Sequence, residues 1–266
     1  MVVKNTDGDS LIELESLEFE GRSHVGVFPW VYLFGIAAAE IVIGYFDIHV
    51  GMILHLLFLI AILCRAVFSL YRPELSGTED GHSYHFYLSL ALVPLIRILS
   101  LSIPLKAMPL QYWYFFVGVP ILTAAWLVIK RTEFRWRDIY LCFGKSRLSW
   151  RSISLQLAIG LVGFLLGLIE FYILQPPQLP PLTWGETLLL VVILLLFVGF
   201  TEELIFRGIL RKAADDFLGK ELSVVYVSLI FASLSITHLS FAYIFFAFGT
   251  AVIFTLIAYR TESLLG

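Results

Sequence analysis

Apolar residues in this chain come in long, nearly unbroken runs, with polar and charged residues gathered between them. Eight such runs stand near 27–46, 50–70, 86–104, 111–129, 152–174, 186–210, 222–239 and 241–259. Each is close to the roughly 20 residues that a helix needs to cross a bilayer. The pattern predicts an all-α polytopic transmembrane helical bundle of about eight spans. The stretch 1–24 is different: Asp7, Asp9, Glu13, Glu15, Glu18 and Glu20 make it polar and acidic. It reads as a solvated tail or a short surface helix, without the pattern of a cleavable signal peptide.

Composition agrees with the runs. Apolar residues make up 59% of the 266 and charged residues only 15%, whereas a soluble domain has about a quarter of its residues charged. No basic face interleaved with aromatics is present, so nucleic acid is not an expected partner. Cys64 and Cys142 are too few and too far apart for a disulfide framework or a metal knuckle.

Charge between the runs gives an orientation. Lys130, Arg131, Arg135, Arg137, Lys145, Arg147 and Arg151 outweigh Glu133 and Asp138 in one loop, which the positive-inside rule assigns to the cytoplasm. Counting spans backward puts the N-terminus and the loop at Arg72 on that same side. Counting forward makes the proline-rich 175–186 an outer turn, with Trp184 as an interface anchor.

The departure that matters is Thr201-Glu202-Glu203-Leu204-Ile205-Phe206-Arg207, which follows the apolar run Leu188–Phe200. An ionisable residue at the bilayer centre costs roughly 2.5–3.5 kcal/mol on insertion scales. Arg207, four residues after Glu203, lies on the same helix face and can pair with it. Glu202 is rotated by about 100° from Glu203 and has no such partner in its helix. One carboxylate is thus tethered, and the other is left for acid–base work. The plainer alternative makes Glu202, Glu203, Arg207, Arg211 and Lys212 the interfacial border of a helix.

Helix arithmetic separates these readings. The pattern continues to Leu218 and stops at Gly219, a C-cap signal. Glu202 then lies about 24 Å from the turn at 1.5 Å per residue, and His238, on the next helix, lies about 24 Å from that helix's start near Leu222. A helical hairpin therefore brings a carboxylate and an imidazole to one depth. Read alone, His238 would be a lone histidine bonded to a carbonyl at a helix end. Glu40 and Glu170 are expected to pair with Arg97 or with groups at lipid level. Arg65 is expected to snorkel toward the interface, and His55 to be a satisfied polar residue of the bundle.

Glu202-Glu203-x-x-x-Arg207 and the histidine-ended helix after it resemble the CPBP family of intramembrane proteases, the type II CAAX prenyl endopeptidases and their bacteriocin-related bacterial relatives. The resemblance covers about 150–266. It divides the chain into the tail 1–24, a four-helix membrane region 25–150 of unassigned role, and a protease core 151–266. It implies an intramembrane endopeptidase of a bacterial inner membrane, acting on a peptide or membrane-protein substrate. Glu202 would activate water, Glu203 and Arg207 would support it, and His238 would hold the water or stabilise the oxyanion.

The second motif of the family, Phe-x-x-x-His, is altered here: Leu234 stands four residues before His238 and Phe231 seven. The third, His-x-x-x-Asn on a later helix, has no counterpart up to Gly266, and Asn5 is the only asparagine. The core is therefore expected to lack its last helix. No cofactor is required by the sequence; a divalent metal such as zinc is possible, with Glu202 and His238 as its ligands. Two other readings stand beside the protease: a non-enzymatic immunity or scaffold protein on the same core, and a proton-coupled transporter using the buried glutamates.

Overall fold

The computed structural model describes residues 26–71, 81–104, 108–142, 150–176 and 182–264. The acidic tail, the loop at Arg72, the tip of the proline-rich turn and the middle of the basic loop lie outside these residues. Nine helices are described: α1 Phe28–Tyr45, α2 Ile48–Tyr71, α3 His82–Leu90, α4 Leu92–Ser102, α5 Leu110–Thr132, α6 Trp150–Leu174, α7 Trp184–Leu218, α8 Lys220–Ser233 and α9 Phe241–Thr261. Helices α3 and α4 are one span bent at Ala91, three residues before Pro94. Eight segments are long and apolar enough to cross a membrane, and no strand occurs among the described residues. The protein is an all-α, multi-pass integral membrane protein.

Its surface shows why. Phe34, Leu57, Leu157, Phe164, Leu188 and Leu195 are each more than half exposed, on helices whose apolar residues point outward as well as inward. Apolar exposure on this scale is unfavourable in water and natural in lipid.

The core crosses the chain from end to end. One cluster of buried side chains runs from Tyr32 on α1 through Phe86 and Leu90 on α3 to Phe206, Tyr226 and Ile230 on α7 and α8. Phe86 stacks on Phe217 at 4.8 Å, and Trp30 meets Tyr226 edge to face at 5.8 Å. The Tyr226 hydroxyl donates to the Pro29 carbonyl at 3.0 Å, which satisfies a polar group that would be costly to bury alone. The first four spans are therefore packed into the same core as the sixth and seventh.

Two buried polar groups gain definite surroundings. The Arg65 guanidinium lies 4.2 Å from the centre of the Phe28 ring and 5.7 Å from that of Tyr87, within reach of cation–π attraction. His55 is fully buried with Nε2 3.1 Å from Glu40 Oε1. Neither ring nitrogen has a hydrogen-bond partner among the described residues; the same Glu40 oxygen accepts from Arg97.

Helix α7 begins with a capping box, in which the Thr183 hydroxyl accepts from the Glu186 N–H and the Glu186 carboxylate accepts from the Thr183 N–H. It ends at Gly219, whose φ of +83° and ψ of 155° reverse the chain into α8. That conformation is essentially restricted to glycine.

Candidate active site

Helix α7 is not a uniform α-helix. Leu195–Phe200 and Glu203–Leu210 are π-helical, and Glu202 stands between them. The Thr201 hydroxyl donates to the Leu196 carbonyl five residues back at 3.1 Å, as the wider turn allows. Such stretches are rare and gather at functional sites. Here they lie near the middle of a 35-residue span.

The wider turn carries both glutamates to one cavity of about 450 Å³. Its wall includes Glu202, Glu203, Arg207 and His238, the four residues nominated from sequence. Glu202 is an exposed residue that lines this cavity and a smaller one against Tyr114 and Val117. Arg207 is 2% exposed and does not belong to a helix border. Its Nη1 lies 3.4 Å from Glu203 Oε1, the expected i, i+4 pair. The guanidinium also sits over the Phe231 ring at 4.4 Å, which gives the aromatic residue a definite task beside the altered second motif. Arg211, equally buried, donates to the Arg207 carbonyl and to Asp215. It thereby ties the cation of the site to the end of the helix.

His238 requires a correction. It is not on the helix, because α8 ends at Ser233 and His238 is the last residue of a 3₁₀ turn, Ile236–His238. Leu239 then adopts a left-handed conformation, φ 55°, and Ser240 caps α9 by accepting from the Tyr243 N–H. The sharp reversal still leaves the imidazole on the cavity that Glu202 faces. The same turn lies close to α1, where a Cβ added at Gly44 would come within 2.9 Å of Leu239.

Four further polar residues that sequence reasoning left without a role in the site belong to it. Arg97, Ser100, Glu170 and Tyr243 line the same cavity. Arg97 donates from Nε to Glu40 at 2.7 Å and from Nη2 to the Leu234 carbonyl at 2.5 Å. Glu40 is wholly buried, so of the two partners foreseen for it Arg97 is the one present. Glu170 instead accepts from the Tyr243 hydroxyl at 2.7 Å. For Arg97 and Glu170 the signal available in the sequence was only a charge inside an apolar run; Ser100 and Tyr243 carried none. Arg207 Nε and Thr250 Oγ1, both on residues of the cavity wall, have no hydrogen-bond partner among the described residues.

A catalytic zinc takes about three protein ligands and a water. Among the described residues no group of three or more His, Cys, Asp or Glu is placed to hold a metal ion, and Glu203 is engaged by Arg207.

Residues 183–266 match the family model described as type II CAAX prenyl endopeptidase Rce1-like. No curated protein and no solved structure matches the chain. The matched segment contains Glu202, Glu203, Arg207 and His238, whereas Glu40, Arg97 and Glu170 lie outside it. Over residues 183–266, then, the chain is similar to the type II CAAX prenyl endopeptidase Rce1-like family, consistent with the CPBP proteases that its Glu-Glu-x-x-x-Arg helix resembles.

Proposed function

We propose that this protein is an intramembrane endopeptidase in which Glu202 activates water. The observation that carries the reading is that Glu202, Glu203, Arg207 and His238 border one cavity of about 450 Å³. The match to an Rce1-like family supports peptide hydrolysis; the geometry supports these residues as its agents.

The Glu202 carboxylate accepts a proton from water while the water oxygen bonds to the scissile carbonyl carbon. The resulting oxyanion is stabilised by a donor in the wall, the His238 imidazole. Glu202 then returns the proton to the leaving amine as the C–N bond breaks, giving a carboxylic acid and an amine. Glu203 is held by Arg207 and takes no proton; its part is to fix Arg207 and the π-helical turn. With the basic loop in the cytoplasm, the substrate is a peptide or a membrane-protein tail presented at that face or from the bilayer.

The test is direct. Purified protein in lipid nanodiscs is incubated with a farnesylated peptide ending in a CAAX sequence and with its unprenylated counterpart, and products are identified by mass spectrometry. Cleavage at one peptide bond in either peptide is expected, and the peptide preferred reports whether the prenyl group is recognised. Intact peptides, with protein that is folded by circular dichroism, would count against the protease in favour of the non-enzymatic reading.

A further inference from the structure

Glu170 is the one acidic or basic side chain in residues 154–174, a span whose neighbouring side chains Leu168, Ile169 and Phe171 are 42–56% exposed. A carboxylate in that setting is costly unless it faces protein or a water-filled space. It does: Glu170 lines the central cavity, and its Oε1 accepts from the Tyr243 hydroxyl at 2.7 Å. The Tyr243 ring meets the His238 ring edge to face at 4.7 Å, with an interplanar angle of 74°. The local sequence explains the contact. The left-handed Leu239 and the Ser240 cap fold the first turn of α9 back onto the 3₁₀ turn. The side chain at 243 is thereby returned to the one at 238. An imidazole can serve a reaction only when its ring is held in one orientation, as the partners of catalytic and metal-bound histidines show.

We propose that Tyr243 is a positioning residue for His238, tethered by Glu170, so that α6 and α9 set the orientation of the imidazole that faces Glu202. This rests on the protease reading above for its catalytic consequence. Its geometry stands independently of that reading. Tyr243 acts through His238, by ring contact, and Glu170 acts through Tyr243, by accepting its O–H.

Two readouts test it. The first is a proton–carbon spectrum of protein labelled only at its histidine rings, six in all, with the His238 signal assigned by loss in His238→Ala. Tyr243→Leu and Glu170→Ala are expected to move that signal and leave the others. Glu170→Gln, which still offers an acceptor, is expected to leave it in place. The second is kinetic. Displacing a reacting group by about 1 Å can cost roughly 10²-fold, so Tyr243→Leu is expected to lower kcat about 10- to 100-fold with KM within about twofold, and to cause no further loss in the His238→Ala background. A His238 signal unmoved by Tyr243→Leu would overturn the proposal. So would a loss that adds to that of His238→Ala, or a Glu170→Gln as damaging as Glu170→Ala. If the wild-type protein cleaves no peptide while the spectral shifts appear as expected, the protease reading falls and the positioning of His238 stands. Should Tyr243→Leu fail to fold, the pair of Glu170 variants decides by the same spectrum.

Discussion

The Arg97 guanidinium donates to the Leu234 carbonyl at 2.5 Å, and so a residue of the fourth helix closes the end of α8 where the His238 turn begins. Glu40 holds the same guanidinium from the first helix at 2.7 Å. The first spans are thus joined to the site by a largely buried charge pair, in which Arg97 bridges Glu40 and the Leu234 carbonyl. Removing one partner of such a pair leaves an uncompensated charge and costs roughly 3–5 kcal/mol. Arg97→Ala is expected to destabilise the protein by that order, read as a lowered thermal midpoint in detergent. The double variant Glu40→Ala/Arg97→Ala is expected to lose less than the sum of the single changes. Strict additivity would mean that the pair is not coupled.

Arg207 has a different setting. It faces Glu203 at 3.4 Å and two aromatic rings, Phe231 and Phe254, at 4.4 and 5.9 Å. Arg207→Lys keeps the charge and forfeits the planar stack. We expect Arg207→Lys to fold, to be less stable than wild type by about 1 kcal/mol, within the range of cation–π contacts, and to cleave more slowly. Arg207→Ala is expected to be worse by both measures. Equal stability of the lysine variant and wild type would show that stacking adds nothing.

At Gly219 the backbone itself makes a prediction. With φ +83° and ψ 155°, a side chain at this position is strained by roughly 1–3 kcal/mol, although no neighbour lies within 4 Å of an added Cβ. Gly219→Ala should therefore lower the thermal midpoint through conformation alone. Because the α7–α8 hairpin sets the relation of Glu202 to His238, it should also slow cleavage. A midpoint equal to wild type would contradict the account of the turn.

Much of this architecture was legible because its causes are local. Runs of apolar residues near span length yield helices in lipid whatever their partners, and seven of the eight segments stand within four residues of the expected places, while the sixth runs eight residues further, to Leu218. The Glu203–Arg207 pair follows from helix geometry alone; the rise-per-residue argument that set Glu202 and His238 at one depth counted His238 as helical, whereas it lies in a turn past the end of α8. What escaped notice depends on packing across the bundle. No spacing rule links Arg97 to Leu234 or Glu170 to Tyr243, which are 137 and 73 residues apart. The 3₁₀ turn at His238 was hidden as well, since the left-handed residue that ends it is Leu239 rather than a glycine.

Metal dependence gives a further check. With no trio of donors among the described residues, dialysis against a strong chelator is expected to leave the cleavage rate within about twofold, since a catalytic zinc would need about three ligands. Loss of activity that zinc alone restores would contradict the metal-free reading.

The most direct test of the central claim is the rate of Glu202→Gln, which replaces the carboxylate by an isosteric amide unable to accept the proton of water. A positioned acid–base group is worth roughly 10²–10⁴-fold, so single-turnover cleavage by this variant is predicted to fall by that factor, with the thermal midpoint close to wild type. Cleavage at the wild-type rate by folded Glu202→Gln protein would contradict it.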